Sequence, residues 1–278
     1  MPLERTNSEC DARMEHMEER SMKNPPSTGE KWRAMIPTLG IFALSSGLIA
    51  FGVYQGIPFL MSKGMHFATA YLLGFYPPFA LLFFGALLIF RYQHGPWDWK
   101  RFQQELRLHR PDKKTWLTVG LAFPILMLGF SLASALGAIL SGNLTWLHAP
   151  DDFPAGLNPH RPLIFGEFMG LPLSGRWDYA LYYALGWFFN IFGEELMFRG
   201  ILLPRHEEIW GKNAWLIHGL IWGFWHVFWY WQFFPLTLFV TLPLLYVVHR
   251  TKNTWSIIVL HGLFNAIPLF FIIAGVVA

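Results

Sequence analysis

A single cysteine, Cys10, stands in a polar stretch near the N-terminus, so an internal disulfide and a thiolate metal cluster are both excluded. Charge is scarce too: Asp, Glu, Lys and Arg make up 14% of the 278 residues, against 54% hydrophobic and 18% aromatic. Soluble domains carry nearer a quarter charged residues, so the composition is that of a polytopic membrane protein. The formal charge of +3 would point to nucleic acid in a soluble protein. Here the Lys and Arg residues cluster between apolar runs, where they orient membrane helices, and nucleic acid drops out as a partner. The N-terminal stretch lacks the apolar core and small-residue cleavage site of a secretory signal, so the first apolar segment is expected to be retained. There is no internal repeat, which argues against the inverted-repeat architecture of secondary transporters. There is also no His-Glu-x-x-His, the commonest zinc-protease signature.

What the chain has instead is apolar runs of about 20 residues, near 34–54, 67–90, 115–141, 178–203, 214–231, 234–248 and 254–277, expected to be long enough to cross a hydrocarbon layer of ~30 Å. The sequence thus predicts an all-α fold: a transmembrane bundle of about seven helices over 34–278, preceded by a cytoplasmic polar tail over 1–33. Lys and Arg number six in the tail, one in 55–66, seven in 91–114, two in 142–176, two in 204–213 and two in 249–253. That alternation puts the N-terminus in the cytoplasm and the C-terminus outside. The stretch WDWKRFQQELRLHRPDKK (97–114) mixes Trp, Phe and Leu with basic residues, as a helix lying on the cytoplasmic lipid surface does, although a solvated basic loop fits equally. LIFGEFMGLPL (163–173) is apolar but too short to span, and either dips into the membrane or covers the outer face.

The chemistry sits in FNIFGEELMFRG (189–200), which puts two glutamates and an arginine in a membrane segment, where each charge costs roughly 2.5–3.5 kcal/mol. Glu195 and Arg199 are four residues apart with the acid first, the spacing at which they pair along one helix face, so they read as a structural, orienting pair. Glu194 points about 100 degrees away and needs another partner, with Asn190 one turn earlier on its face. His226 lies in the fifth apolar segment, and His261 and Asn265 share a face of the seventh. Counted at ~1.5 Å per residue from the cytoplasmic ends, these four side chains sit roughly 10 to 18 Å deep, in one layer. Gly219 and Gly223 lie on the face of His226 and allow a neighbouring helix to approach closely. Trp222, Trp225, Trp229 and Trp231 read as core and interface anchors.

Glu194, Glu195 and Arg199, then Trp222 and His226, then His261 and Asn265, in that order on separate helices, resemble the CPBP intramembrane protease family. That family includes the type II CAAX prenyl endopeptidases and the bacteriocin-immunity (Abi) proteins. The resemblance covers roughly 178–270. One position departs: the family's second motif usually has Phe where this chain has Trp222, a change expected only to repack the pocket. The resemblance implies an integral membrane endopeptidase that cuts near the cytoplasmic face. Glu194 and His226 would deprotonate a water, and His261 and Asn265 would donate to the oxyanion, with no cofactor. Glu194, His226 and His261 also match a three-ligand zinc site, so a metal-dependent protease stays open. So do a non-catalytic immunity-type protein and a proton-coupled transporter. The expected partners are membrane lipids and a peptide substrate, plain or lipidated at its C-terminus.

Overall fold

A computed structural model describes residues 28–278 apart from 155, 156, 159 and 162. The predicted tail, with Cys10, lies outside the described residues except for its last six positions, which begin the first helix. Helix α1 (Thr28–Phe51) runs through a π turn at Gly52–Gly56 into α2 (Ile57–Ser62). Helices α3 (Phe67–Phe75) and α4 (Pro77–His94) form the second pass, kinked where Pro77 and Pro78 supply no amide N–H. After α5 (Trp99–Glu105), α6 (Lys113–Asn143) makes the third pass. The fourth comprises α7 (Trp177–Glu194) and a π segment (Glu195–Leu202), and α8 (Leu203–Trp210) belongs to the connection that follows it. The fifth is α9 (Ala214–Trp225) with a tight turn at His226–Trp229. Helix α10 (Phe233–Leu236), a π turn (Thr237–Thr241) and α11 (Leu242–Thr251) form the sixth, and α12 (Thr254–Val277) the seventh.

These seven passes coincide with the seven apolar runs, and the chain is an integral membrane helical bundle. Five passes are long and apolar enough to cross a membrane. The other two, the fourth and fifth, are those that carry Glu194, Glu195, Arg199 and His226. Leu81, Leu88, Leu121, Ile125, Phe270 and Phe271 are each 61–68% exposed. Such a belt of large apolar side chains is costly in water and favourable against lipid. The interior is packed with aromatic rings, including Phe75, Phe79, Trp225 and Phe228.

The connections sort onto two ends of the bundle. At one end Glu207 of α8 accepts hydrogen bonds from Arg107 at 2.7 Å and Lys252 at 2.9 Å, and the Thr254 amide donates to the Arg107 carbonyl at 2.9 Å. This clasp joins the three basic connections that follow passes two, four and six. Burial pushes the Glu207 carboxyl up, but the two cations beside it outweigh that and hold it below the usual carboxylate range. At the other end the Gly175 amide bonds the Val276 carbonyl at 2.9 Å, and the Tyr230 hydroxyl bonds the His148 carbonyl at 2.8 Å. The basic stretch forms α5, capped by Asp98, with Phe102 buried and Trp97 and Trp99 exposed. The short apolar stretch takes neither a membrane-dipping helix nor a coil. It forms a two-stranded hairpin, β1 (Glu167–Phe168) against β2 (Leu171–Pro172), turned at Met169 and Gly170 with positive φ, and Leu173 packs on the end of α12 at Gly275.

Candidate active site

Three passes meet at the polar layer, and identifiable contacts set the register of each. In α7, Gly193 faces the backbone of Phe79, where any side chain would collide, so α7 lies directly on α4 and Glu194 is carried into the interior. The Trp187 indole donates to the Gly262 carbonyl at 2.9 Å, locking α7 to α12. In α9, Gly223 faces Thr237 closely enough that a β-carbon would collide, and a β-carbon on Gly219 would stand 2.8 Å from Leu242. The G-x-x-x-G pair therefore does what its spacing predicts. Where α9 ends, α1 and the π turn after it bond carbonyls of the helix end and of the turn beyond: Ser46 donates to Trp225 O at 2.7 Å and Tyr54 to Phe228 O at 2.8 Å. His226 opens a tight turn instead of continuing the helix. Asn253 caps α12, and the clasp at Thr254 fixes that helix from its first residue.

Glu194, fully buried, is held by two neutral donors. Asn190 Nδ2 lies 2.8 Å from its Oε1, and Trp222 Nε1 lies 2.7 Å from its Oε2. Glu195, also buried, has charged or chargeable partners instead: Arg199 Nε at 3.2 Å and His261 Nδ1 at 2.6 Å. The expected Glu195–Arg199 pair is present, and the backbone there is a π segment, a wider turn that recurs at functional sites. The terminal nitrogens of Arg199 make no hydrogen bond among the described residues. The face of the Trp222 indole covers them, with its ring centre 3.5 Å from Cζ. A desolvated cation over an indole face contributes about 2 kcal/mol.

His226 Nδ1 lies 2.9 Å from the Trp222 carbonyl. That contact requires the proton on Nδ1 and leaves the lone pair on Nε2. Asn265 donates one amide hydrogen to the His261 carbonyl at 3.2 Å and keeps a second. Glu194, His226, His261 and Asn265 all line one cavity of 310 Å³. Its remaining wall is largely aromatic, including Tyr76, Tyr183, Trp187 and Trp229, and Leu157 borders it from the connection at the second end of the bundle. Glu195 and Arg199 lie behind this wall.

Sequence reasoning missed the role of Trp222. Its indole N–H bonds Glu194, which a phenylalanine cannot do, so the Trp for Phe exchange does more than repack the pocket. No spacing rule links residues 194 and 222. The only signal was the general need of a buried indole N–H for an acceptor. The Glu195–His261 contact was missed as well, because it depends on how α7 and α12 face one another. His206 and His218 are buried and bond each other through Nδ1 at 3.0 Å. No three His, Cys, Asp or Glu side chains among the described residues converge to hold a metal ion.

A membrane bundle with a buried carboxylate, two imidazoles and an amide around one cavity is the kind of site an intramembrane hydrolase uses. Residues 176–267 match the family described as type II CAAX prenyl endopeptidase, Rce1-like, over about a third of the chain. The match spans all three motifs and supports the resemblance to the CPBP intramembrane proteases. At the level of that family it supports a CAAX-protease-like intramembrane endopeptidase. No curated protein and no solved structure matches the chain.

Proposed function

We propose that the chain hydrolyses a peptide bond inside the membrane layer with a water activated by Glu194 and His226, and that His261 and Asn265 stabilise the oxyanion. The observation that carries this is the meeting of all four side chains on one cavity walled mainly by aromatic groups. The water sits between the free lone pairs of Glu194 and Nε2 of His226. As its oxygen adds to the carbonyl carbon of the substrate, the pair takes its proton and the carbonyl oxygen becomes an oxyanion. The second amide hydrogen of Asn265 and Nε2–H of His261 donate to that oxyanion, and such donors count most in a dry site. His261 can donate there only with a proton on each ring nitrogen, since Nδ1 already donates to Glu195. The carboxylate of Glu195 supports that charge. The C–N bond then breaks and the captured proton passes to the leaving amine.

The substrate is a peptide, and the apolar aromatic wall suits one carrying a lipid at its C-terminal end. Supported by the alternation of Lys and Arg and by the sorting of connections onto two ends, the N-terminus and the Glu207 clasp are cytoplasmic and the C-terminus is outside. The test is cleavage by detergent-solubilised protein of an internally quenched farnesylated CAAX peptide beside its unmodified twin. Wild type is expected to cut the lipidated peptide faster. Glu194→Gln and His226→Ala are each expected to lose on the order of 10² to 10⁴ in rate while remaining folded. Near wild-type turnover in Glu194→Gln would refute the mechanism.

A further inference from the structure

We infer that Trp222 is a positioning residue for the reaction, holding the Glu194 carboxylate in its working orientation through the indole N–H while its ring face screens the Arg199 charge from the cavity. The inference rests on the reading of Glu194 as the base. Three observations carry it. Trp222 Nε1 lies 2.7 Å from Glu194 Oε2, a length typical of a hydrogen bond to an ionised acceptor. The same ring lies 3.5 Å from the Arg199 guanidinium carbon, and Trp222 also lines the cavity. Its backbone carbonyl accepts from His226 Nδ1, so one residue sets both the carboxylate orientation and the imidazole tautomer.

The geometry explains why a bicyclic side chain with a donor is needed. Asn190 secures Oε1, and without a second donor the carboxylate can rotate about its terminal bond, a broad two-fold torsion. With both oxygens tied, each keeps a lone pair for water, and the direction of that lone pair is fixed. The ring also separates two chemistries. On one side lies an ion pair that needs to stay paired, and on the other a carboxylate that needs to be free to take a proton. Were Arg199 to reach Glu194, it would hold that carboxylate as a permanent anion partner and weaken it as a base.

The test compares wild type, Trp222→Phe and a protein carrying 3-benzothienyl-alanine at 222, which keeps the bicyclic shape and lacks the donor. Turnover of the quenched farnesylated peptide and the melting temperature are measured for each. Both changes are expected to lower kcat roughly tenfold to a hundredfold, the range for a lost hydrogen bond to a charged group. KM should stay within about twofold, since substrate contacts stay in place. A second readout does not depend on activity. In protein labelled with ¹⁵N at the indoles, the Trp222 N–H resonance, identified by its loss in the benzothienyl protein, should move upfield in Glu194→Gln. If kcat is unchanged in a folded benzothienyl protein, or the resonance does not move, the inference is overturned. Loss of turnover in Glu194→Gln with none in either Trp222 replacement refutes the inference alone. Full turnover in Glu194→Gln refutes the reading of the base and the inference with it.

Discussion

Replacing Glu195 with glutamine keeps the volume and exchanges one oxygen for an amide nitrogen, and the donors around it decide the outcome. The side chain faces two of them, Arg199 Nε at 3.2 Å and His261 Nδ1 at 2.6 Å. Glutamine has one acceptor oxygen, so whichever way it turns, an NH₂ group confronts one of them. If the oxygen faces His261, the guanidinium is left buried with only the Trp222 ring beside it. Breaking one partner out of such a pair costs about 3–5 kcal/mol, or roughly 6–20 °C in melting temperature for a chain of this size. If the oxygen faces Arg199, His261 loses its acceptor, and in either orientation it loses the carboxylate that supports a proton on both nitrogens. The oxyanion donor then weakens, with a loss of up to about 10² to 10³ in kcat. Both orientations are expected to be populated, so Glu195→Gln should melt lower and turn over more slowly per folded molecule. Adding Arg199→Met separates the two effects. It removes the uncompensated cation, so stability should recover, and it leaves His261 without a carboxylate, so turnover should not. The assays are thermal melting in detergent and cleavage of the quenched farnesylated peptide, scaled to folded protein. A folded Glu195→Gln with wild-type turnover would refute the role given to the Glu195–His261 contact.

Three further outcomes are expected. Asn265→Ala should lower kcat by about 10² to 10³ with little change in KM, since only one free amide hydrogen is lost from the cavity; an unchanged kcat would remove Asn265 from the oxyanion site. Glu207→Gln should lower the melting temperature at neutral pH, because the carboxylate joins Arg107 and Lys252. The Glu207 carboxyl is held below its ordinary value, so its stabilisation is present above the ordinary carboxylate pKa of about 4 and is lost as pH falls through the lower folded value. The gap between wild type and variant should therefore close in acid, and a gap independent of pH would exclude the ion pairs as its cause. In a Cys10→Ser background, an impermeant thiol reagent added outside intact cells should label Ser174→Cys and not Lys100→Cys; equal labelling would sink the assigned sidedness.

How far the sequence reached depends on which interactions are local. The helices were legible because apolar runs of membrane length have one economical conformation, and the Glu195–Arg199 pair because both residues lie on one turn. Counting rise per residue brought Glu194, His226, His261 and Asn265 to one layer, since depth in a membrane is nearly a linear coordinate. Facing is not linear in sequence. Which side of α9 meets α7 depends on close contacts at Gly193 and Gly223, on the break of α9 at Trp225 beside Ser46 and Tyr54, and on the π segment after Glu194. Hence Trp222 read as an anchor and Glu195 as merely structural. The hairpin at 167–172 escaped notice because an apolar stretch beside a membrane looks the same whether it enters the lipid or packs against the end of a helix.

On the proposed mechanism, the two adjacent glutamates divide labour between identical side chains. A carboxylate in a dry bundle has to be compensated, and the compensation decides what the group can do. Glu195 faces an arginine and a histidine, so a proton added to either oxygen would break the contact that oxygen makes. That makes it an anchor. Glu194 faces two neutral N–H groups, which steady the anion without neutralising it, and its free lone pairs open on the cavity. Protonating Glu194 therefore sacrifices hydrogen-bond strength and no ion pair, the smaller of the two costs. On the inference drawn for Trp222, the difference rests on the indole ring beside Arg199, so the capacity to take a proton from water should track that ring more closely than it tracks the sequence position of either acid.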